Sequence, residues 1–533
     1  FTLKIDSIMG GISPSIYRGG PGQFSASLSI DPDLIVDPSS SQVKTGGVIT
    51  PVVGTDFSST GLTSYPNWLM TCPQNALLYA YAFNGVFLSY NTSSFAETSI
   101  GTPTSGAGNG GAYYNNYIYL ATPTNISRYG PLDNSPSITN TVWTGALFGL
   151  TALGNPAFPT SYGVTYPNHP MHVHIDNKLY VGDFETADNA NQGRGKIHWI
   201  RTNQGTDEGD TNDGTTQNAF YLPYSYAPID IESWGNDLVI LAIPMHATGF
   251  SATTVQGKAA LFFWDAINAP SLPYKVIPLI DPFASALLNH NGILYVWSGN
   301  LIDGIRVSQY LGGSQLGQIA FFEEGYPSPA GCVDGLGNRI VWGGHTTYPE
   351  NAIAVYAYGY KDASNPPALH NIFKSTASVG ATTGAITALK YFRHSNFIVP
   401  NSICVAWKDG AGTEDFGIDR HSSSTGGISV WRSLTYSIGQ PFRINKLSVG
   451  LGEAVAANNT IVPTIRVDND STTFTLTTIN NTNYTSSQRR IVFLPAAYGF
   501  NDFNIQFRQT GSDPISIILP IVIEGETLED ATG

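Results

Sequence analysis

Charge is what this sequence has least of. Only 12% of its 533 residues are Asp, Glu, Lys or Arg, about half the usual share in a globular protein. The few cations are outnumbered, 25 Lys and Arg against 39 Asp and Glu, for a net charge of −14. Nucleic-acid binding rests on a basic footprint, so sequence-specific DNA or RNA partners are not expected, nor are anionic membranes. No stretch reaches the ~18 apolar residues of a membrane helix, so no membrane span is expected. No signal peptide is visible. Cysteine is also scarce. Cys72, Cys332 and Cys404 are odd in number and far apart, which provides neither a disulfide framework nor zinc spacing. Each lies in an apolar, strand-like stretch and reads as a small buried hydrophobe.

What is present is apolar and turn-forming. Hydrophobic residues make up 42% of the chain, with 56 Gly and 33 Pro. That is enough for a sizeable core, and it leaves little room for long helices. From about Tyr65 to Ser437 one theme recurs: an apolar strand, a tight Asn/Gly/Asp turn, a second apolar strand. The clear copies are His172–Gly182, Ile229–Leu241, Ala286–Trp297 and Cys332–Trp342. Ala112–Leu120 and Leu69–Tyr79 are weaker, and Ile386–Trp407 is degenerate. The turn residues Asn75, Asn116, Asn177, Asn236, Asn291 and Asn338 stand about 40 to 60 residues apart, the period of a β-propeller blade. Third strands follow, such as Lys196–Ile200, Ala259–Trp264, Ala352–Ala357 and Gly427–Leu434.

The expected fold is therefore all-β, a β-propeller of about seven blades (within a range of six to eight) plus a small C-terminal β-sandwich. The expected division is an extended arm at 1–60, the propeller at 61–438, the sandwich at 439–526 and an acidic tail at 527–533. In the sandwich, strands succeed one another closely from Ile444–Leu451 to Ile515–Ile523, and Phe503–Arg508 alternates cleanly, as a strand buried on one face should.

Few residues point to chemistry. His172 and His174 stand two apart on an expected strand and so share one face, an arrangement that suits a metal ion; the alternative is a pair of polar residues on an inner propeller strand. Asp207, Asp210, Asn212 and Asp213 concentrate oxygen ligands in one loop that calcium would order, although EF-hand spacing and a closing Glu are missing, and a solvated loop is the plainer reading. No other cofactor is expected. Asp415, Asp419, Arg420 and His421 gather near the last blade, but no activated nucleophile motif such as G-x-S-x-G accompanies them. Catalysis is not expected; a glycoside hydrolase on the propeller scaffold is the third reading, and no pair of converging carboxylates for it can be named.

A Gly/Pro-rich start (Gly10-Gly-Ile-Ser-Pro-Ser, Ile30-Asp-Pro-Asp), a propeller, and the terminal runs Gln440-Pro-Phe-Arg-Ile-Asn-Lys-Leu, Ile461–Asp468 and Leu519–Ile523 make up a layout that resembles that of structural proteins of tailed bacteriophages. The resemblance implies a virion protein of the tail, nozzle or tip, with other virion proteins as partners in a homo-oligomeric ring. An acidic nozzle lumen would let DNA slide without sticking. The alternative expectation is an extracellular or tip propeller that binds a host glycan or receptor, carried by Tyr-rich loops such as Tyr221–Tyr226.

Overall fold

A computed structural model of the chain describes residues 2–5, 30–31, 48–51, 53–60, 62–91, 94, 96–103, 108–140, 142, 166–185, 193–203, 206–209, 220–245, 257–266, 272–300, 302–322, 328–346, 352–359, 368–374, 385–391, 403–408, 416–425, 428–432, 436–468, 472–484, 490–493, 495, 499–511 and 517–528. These residues form a seven-bladed β-propeller and a second, C-terminal β-unit. Each expected hairpin is the inner pair of one blade. The innermost strands, in blade order, are Pro66–Thr71, Gly111–Tyr114, Met171–Val173, Tyr226–Trp234, Ala284–His290, Val333–Leu336 and Ala385–Tyr391.

Turn chemistry sets the hairpins. In blade two, Tyr114 pairs with Tyr117 across Asn115-Asn116, with φ of 45° and 72°. In blade five, His290 pairs with Ile293 across Asn291-Gly292, with φ of 53° and 81°. Two successive left-handed residues match the twist of a two-residue hairpin, and Asn and Gly adopt them at least cost.

Packing then follows from strand alternation. In the second strand of blade four, Asp237–Pro244, every residue after Asp237 is buried. Leu238, Ile240 and Ala242 join Tyr180 and Ile197 of blade three, whereas Val239, Leu241 and Ile243 join Leu287 and Leu294 of blade five. One blade thus fills two interfaces, and each buried Val, Leu or Ile contributes about 1.5–3 kcal/mol. The same holds all round. Leu69 and Leu78 of blade one pack with Cys404 and Ala406 of blade seven. All three cysteines are buried and free.

The ring closes through the chain start. Blade seven is built from Ala385–Tyr391, Ile403–Lys408 and Phe416–Thr425, and its outermost strand is Val53–Thr60, paired antiparallel with Phe416–Thr425. Phe373 of blade six also makes a parallel bridge to Val53.

The second unit is an eleven-stranded hydrogen-bonded network around Phe442, Phe503, Ile505 and Ile521. Its spine is Tyr436–Leu451, which pairs with Phe500–Thr510 at its start and with Ile517–Thr527 beyond Phe442. Register shifts mark the change of partner, which is how one strand serves two faces of a sandwich. The segment expected to be an arm supplies strands here. Thr2–Ile5 and Val48–Pro51 both pair with Ile517–Thr527. Ile428–Arg432, expected as a propeller strand within Gly427–Leu434, instead pairs with Phe500–Thr510; the third strand of blade seven is Phe416–Thr425. An apolar five-residue strand carries no local mark of its partner, so its sequence could not decide between the two sheets.

A chain lacking residues 1–60 is expected to unfold at lower temperature and to associate, because Phe416–Thr425 then presents an unpaired edge. Calorimetry and size-exclusion chromatography of the truncated and full chains check this.

Candidate functional site

The seven inner strands surround the propeller axis, and their polar side chains reach from blade to blade. Asp230 accepts the N–H of Ile231 at 2.9 Å and, across to blade five, that of Leu287 at 2.7 Å. Asp334 repeats the device nearer the turn of its own hairpin. It accepts Gly335 N–H at 2.8 Å and Tyr391 N–H of blade seven at 2.9 Å. A register shift between Pro228 and Asp230 marks the strand just before the first carboxylate, as bulges do where a side chain is re-aimed. Thr387 of blade seven donates to Pro66 O of blade one. Tyr114 donates to Asn177 O, linking blades two and three.

At the hairpin-turn end of this axis lies a cavity of about 590 Å³, within the size range of small-molecule sites. Blade one lines it with Thr71, Cys72 and Pro73, blade four with Glu232, and blade five with Leu288–Asn291. Blades six and seven add Asp334, Gly335, Lys390 and Tyr391. Lys390 is held by Asp334 at 3.0 Å. The close fit of the turns is visible at Gly335, where a Cβ would stand 2.1 Å from the His290 ring. That ring bonds to Gly337 O at 2.8 Å.

Burial dominates the electrostatics. It raises the Asp230 carboxyl to about 7, against the lowering effect of its two backbone hydrogen bonds. It also pushes Glu232 well above the usual carboxylate range, helped by the negative charge of Asp230. The same loss of solvation lowers His172 to about 3.

The structure brings His172 and His174 together, as expected of residues two apart on a strand. Between them stands the Ser233 hydroxyl of blade four, 2.7 Å from His172 Nε2 and 2.7 Å from His174 Nδ1. His174 Nε2 meets Asn236 O at 3.2 Å. A hydroxyl can donate to one imidazole and accept from the other, so the pair clamps blade three to blade four. The array Ser233–His172–Glu232 has the order of a nucleophile, a base and a carboxylate. Its Glu232–His172 separation of 3.7 Å is too long for a hydrogen bond, and a base with a pKa near 3 is weak. Ser233 is therefore a bridge.

Of the expected calcium ligands, Asp207 lies on Thr206–Gly209, opposite Thr202 at the outer edge of blade three. Asp210, Asn212 and Asp213 lie outside the described residues. Among the described residues no group of three or more His, Cys, Asp or Glu could hold a metal ion. Asp419 and Arg420 are buried within blade seven, and Asp415 lies outside the described residues. Asp230, Glu232, Asp334 and Lys390 went unread as a site in the sequence. The available signal was Ile229-Asp-Ile-Glu-Ser, with two carboxylates at period two on an inner strand where apolar residues prevail.

Ser233→Ala is expected to leave two imidazole nitrogens without their partner, at a cost on the order of 1–3 kcal/mol, readable from urea titrations. Glu232→Gln tests the buried charge. A carboxyl raised in the folded state keeps its proton after the unfolded chain has lost its own, so wild-type stability declines as pH rises above the ordinary value of 4.5. Asp230 adds the same sign between 3.8 and about 7. The melting temperature of E232Q relative to wild type is therefore expected to increase between pH 4.5 and pH 8.

No protein family matches the sequence, and no curated protein matches it. Among solved structures, the chain is similar in fold to the crystal structure of the Myceliophteria thermophila Cps50 (Swd1) β-propeller domain. The identity is 9%, the TM-score is 0.41, and the match covers 68% of this chain and 99% of that one.

Proposed function

We propose that the protein is a structural assembly part rather than a catalyst, and that its place is in the tail of a tailed-phage virion, at the nozzle or the tip. The observation that supports this reading is the stitching of the chain start. Thr2–Ile5 and Val48–Pro51 lie in the C-terminal unit, and Val53–Thr60 closes the propeller. The two units share strands from one short segment, which resists pulling them apart better than a plain linker would. A part that carries load within an assembly needs this. The scarcity of charge and the acidic balance agree with a surface that meets other proteins and does not bind DNA. Rings of identical subunits use heterologous contacts between such parts.

The second reading, a disc that binds a host glycan or receptor, is favoured by exposed apolar side chains beside Lys275–Pro278, the outer strand of blade four. Tyr274 is 60% exposed, Leu272 66% and Ile280 63%. A tyrosine ring in that setting can stack on a sugar.

Immunogold electron microscopy with antibody to this chain, on virus particles from its source, tests the first reading. Gold at one fixed place on the tail is expected. Particles that carry no gold would overturn it and leave the glycan- or receptor-binding disc.

A further inference from the structure

We propose that the cavity at the hairpin-turn end of the propeller axis binds a ligand presenting a single ammonium or guanidinium group, with Glu232 as its counter-charge and the Asn289 amide oxygen as a second acceptor.

The inference rests on what the cavity has to offer once its internal bonds are counted. Lys390 and Asp334 neutralise one another at 3.0 Å, and Asp334 also takes two backbone N–H groups. Asn291 spends its amide nitrogen on Gly337 O. The His290 ring is occupied by the same carbonyl. Asn289 donates its amide nitrogen to Ser233 O, which leaves its own oxygen, a buried atom, without a hydrogen-bond partner. Glu232 accepts the Ser233 N–H and feels the charge of Lys390 only at a distance, and the imidazole it faces at 3.7 Å is held neutral by burial. Its side chain remains 21% exposed, and it lines the cavity. Of these groups, the amide and ammonium donors are engaged, whereas the Asn289 oxygen has no hydrogen-bond partner. A guest that supplies donors and one positive charge completes it, whereas an anion would meet Glu232 and Asp334 and find Lys390 already engaged. Ammonium and guanidinium groups are donor-only, and about 590 Å³ accommodates either with several methylenes.

Binding of this kind carries a proton signature. Burial favours the protonated form of Glu232 by penalising its charge. The groups facing it are Asp230 on its own strand, His172 of blade three, Asp334 of blade six and Lys390 of blade seven. A bound cation makes the ionised form the better one, so one proton leaves as the ligand enters. Affinity is then expected to rise about tenfold per pH unit while Glu232 is protonated in the free protein.

Isothermal titration calorimetry of the full chain decides this, with four probes: cadaverine, agmatine, and the N-acetyl amides of lysine and of arginine. The first two stand for free amines, the last two for a side chain offered by a protein partner. At least one probe is expected to bind, with about one proton released when buffers of different ionisation enthalpy are compared. E232Q, which is expected to keep its fold, should lose that binding at least tenfold. Binding by the free amines alone identifies a small molecule, and binding by the blocked amino acids identifies a protein segment. No heat with any probe at millimolar concentration overturns the proposal, as does equal binding to E232Q. Should E232Q fail to fold, binding to the wild type without proton release also overturns it.

Discussion

Closure of the ring is the constraint on which this molecule depends. Every blade is a twisted sheet with two apolar faces, and neither face is covered until a neighbour stands on each side. Blades one and seven meet this requirement only in each other, through Leu69 and Leu78 against Cys404 and Ala406. The strand that completes blade seven comes from residues 53–60. A contact between the two ends of the chain is thus a condition for burying the cores in between. Bringing them together forfeits the entropy of a very long loop, but that cost grows only with the logarithm of loop length.

The polar hub belongs to the same constraint. Inner strands converge on the axis, where side chains from several blades come within reach of one another. Backbone N–H groups near the axis need acceptors, and Asp230 and Asp334 supply them to Leu287 and Tyr391. The carboxylates are expensive there, because burial disfavours their charge. The same burial leaves an acidic group, Glu232, lining the cavity at the axis end. Structure and the inferred binding site thus have one origin.

Much of the fold was legible in local sequence. The hairpins of blades one to six are local events: two apolar strands and a tight turn; in blade seven the paired strands Ala385–Tyr391 and Ile403–Lys408 stand farther apart in sequence. Asn115-Asn116 and Asn291-Gly292 specify their turns by their own backbone preferences. The approach of His172 to His174 follows from period two on any strand. The partner they share was not legible, since Ser233 lies about sixty residues away in another blade. The membership of Ile428–Arg432 and the closing role of Val53–Thr60 were hidden for a related reason: backbone pairing to a sheet edge leaves no mark in a short strand's own side chains.

By itself the sequence determined the class, the recurrence of one hairpin unit and the low charge of the chain, because turn preference, strand alternation and composition act between near neighbours. Only the tertiary structure decided which strands close the ring, which side chains meet at its axis and what they leave unpaired. Those outcomes depend on the superposition of five or more blades around one line, and no spacing in a single segment records where the other segments will stand.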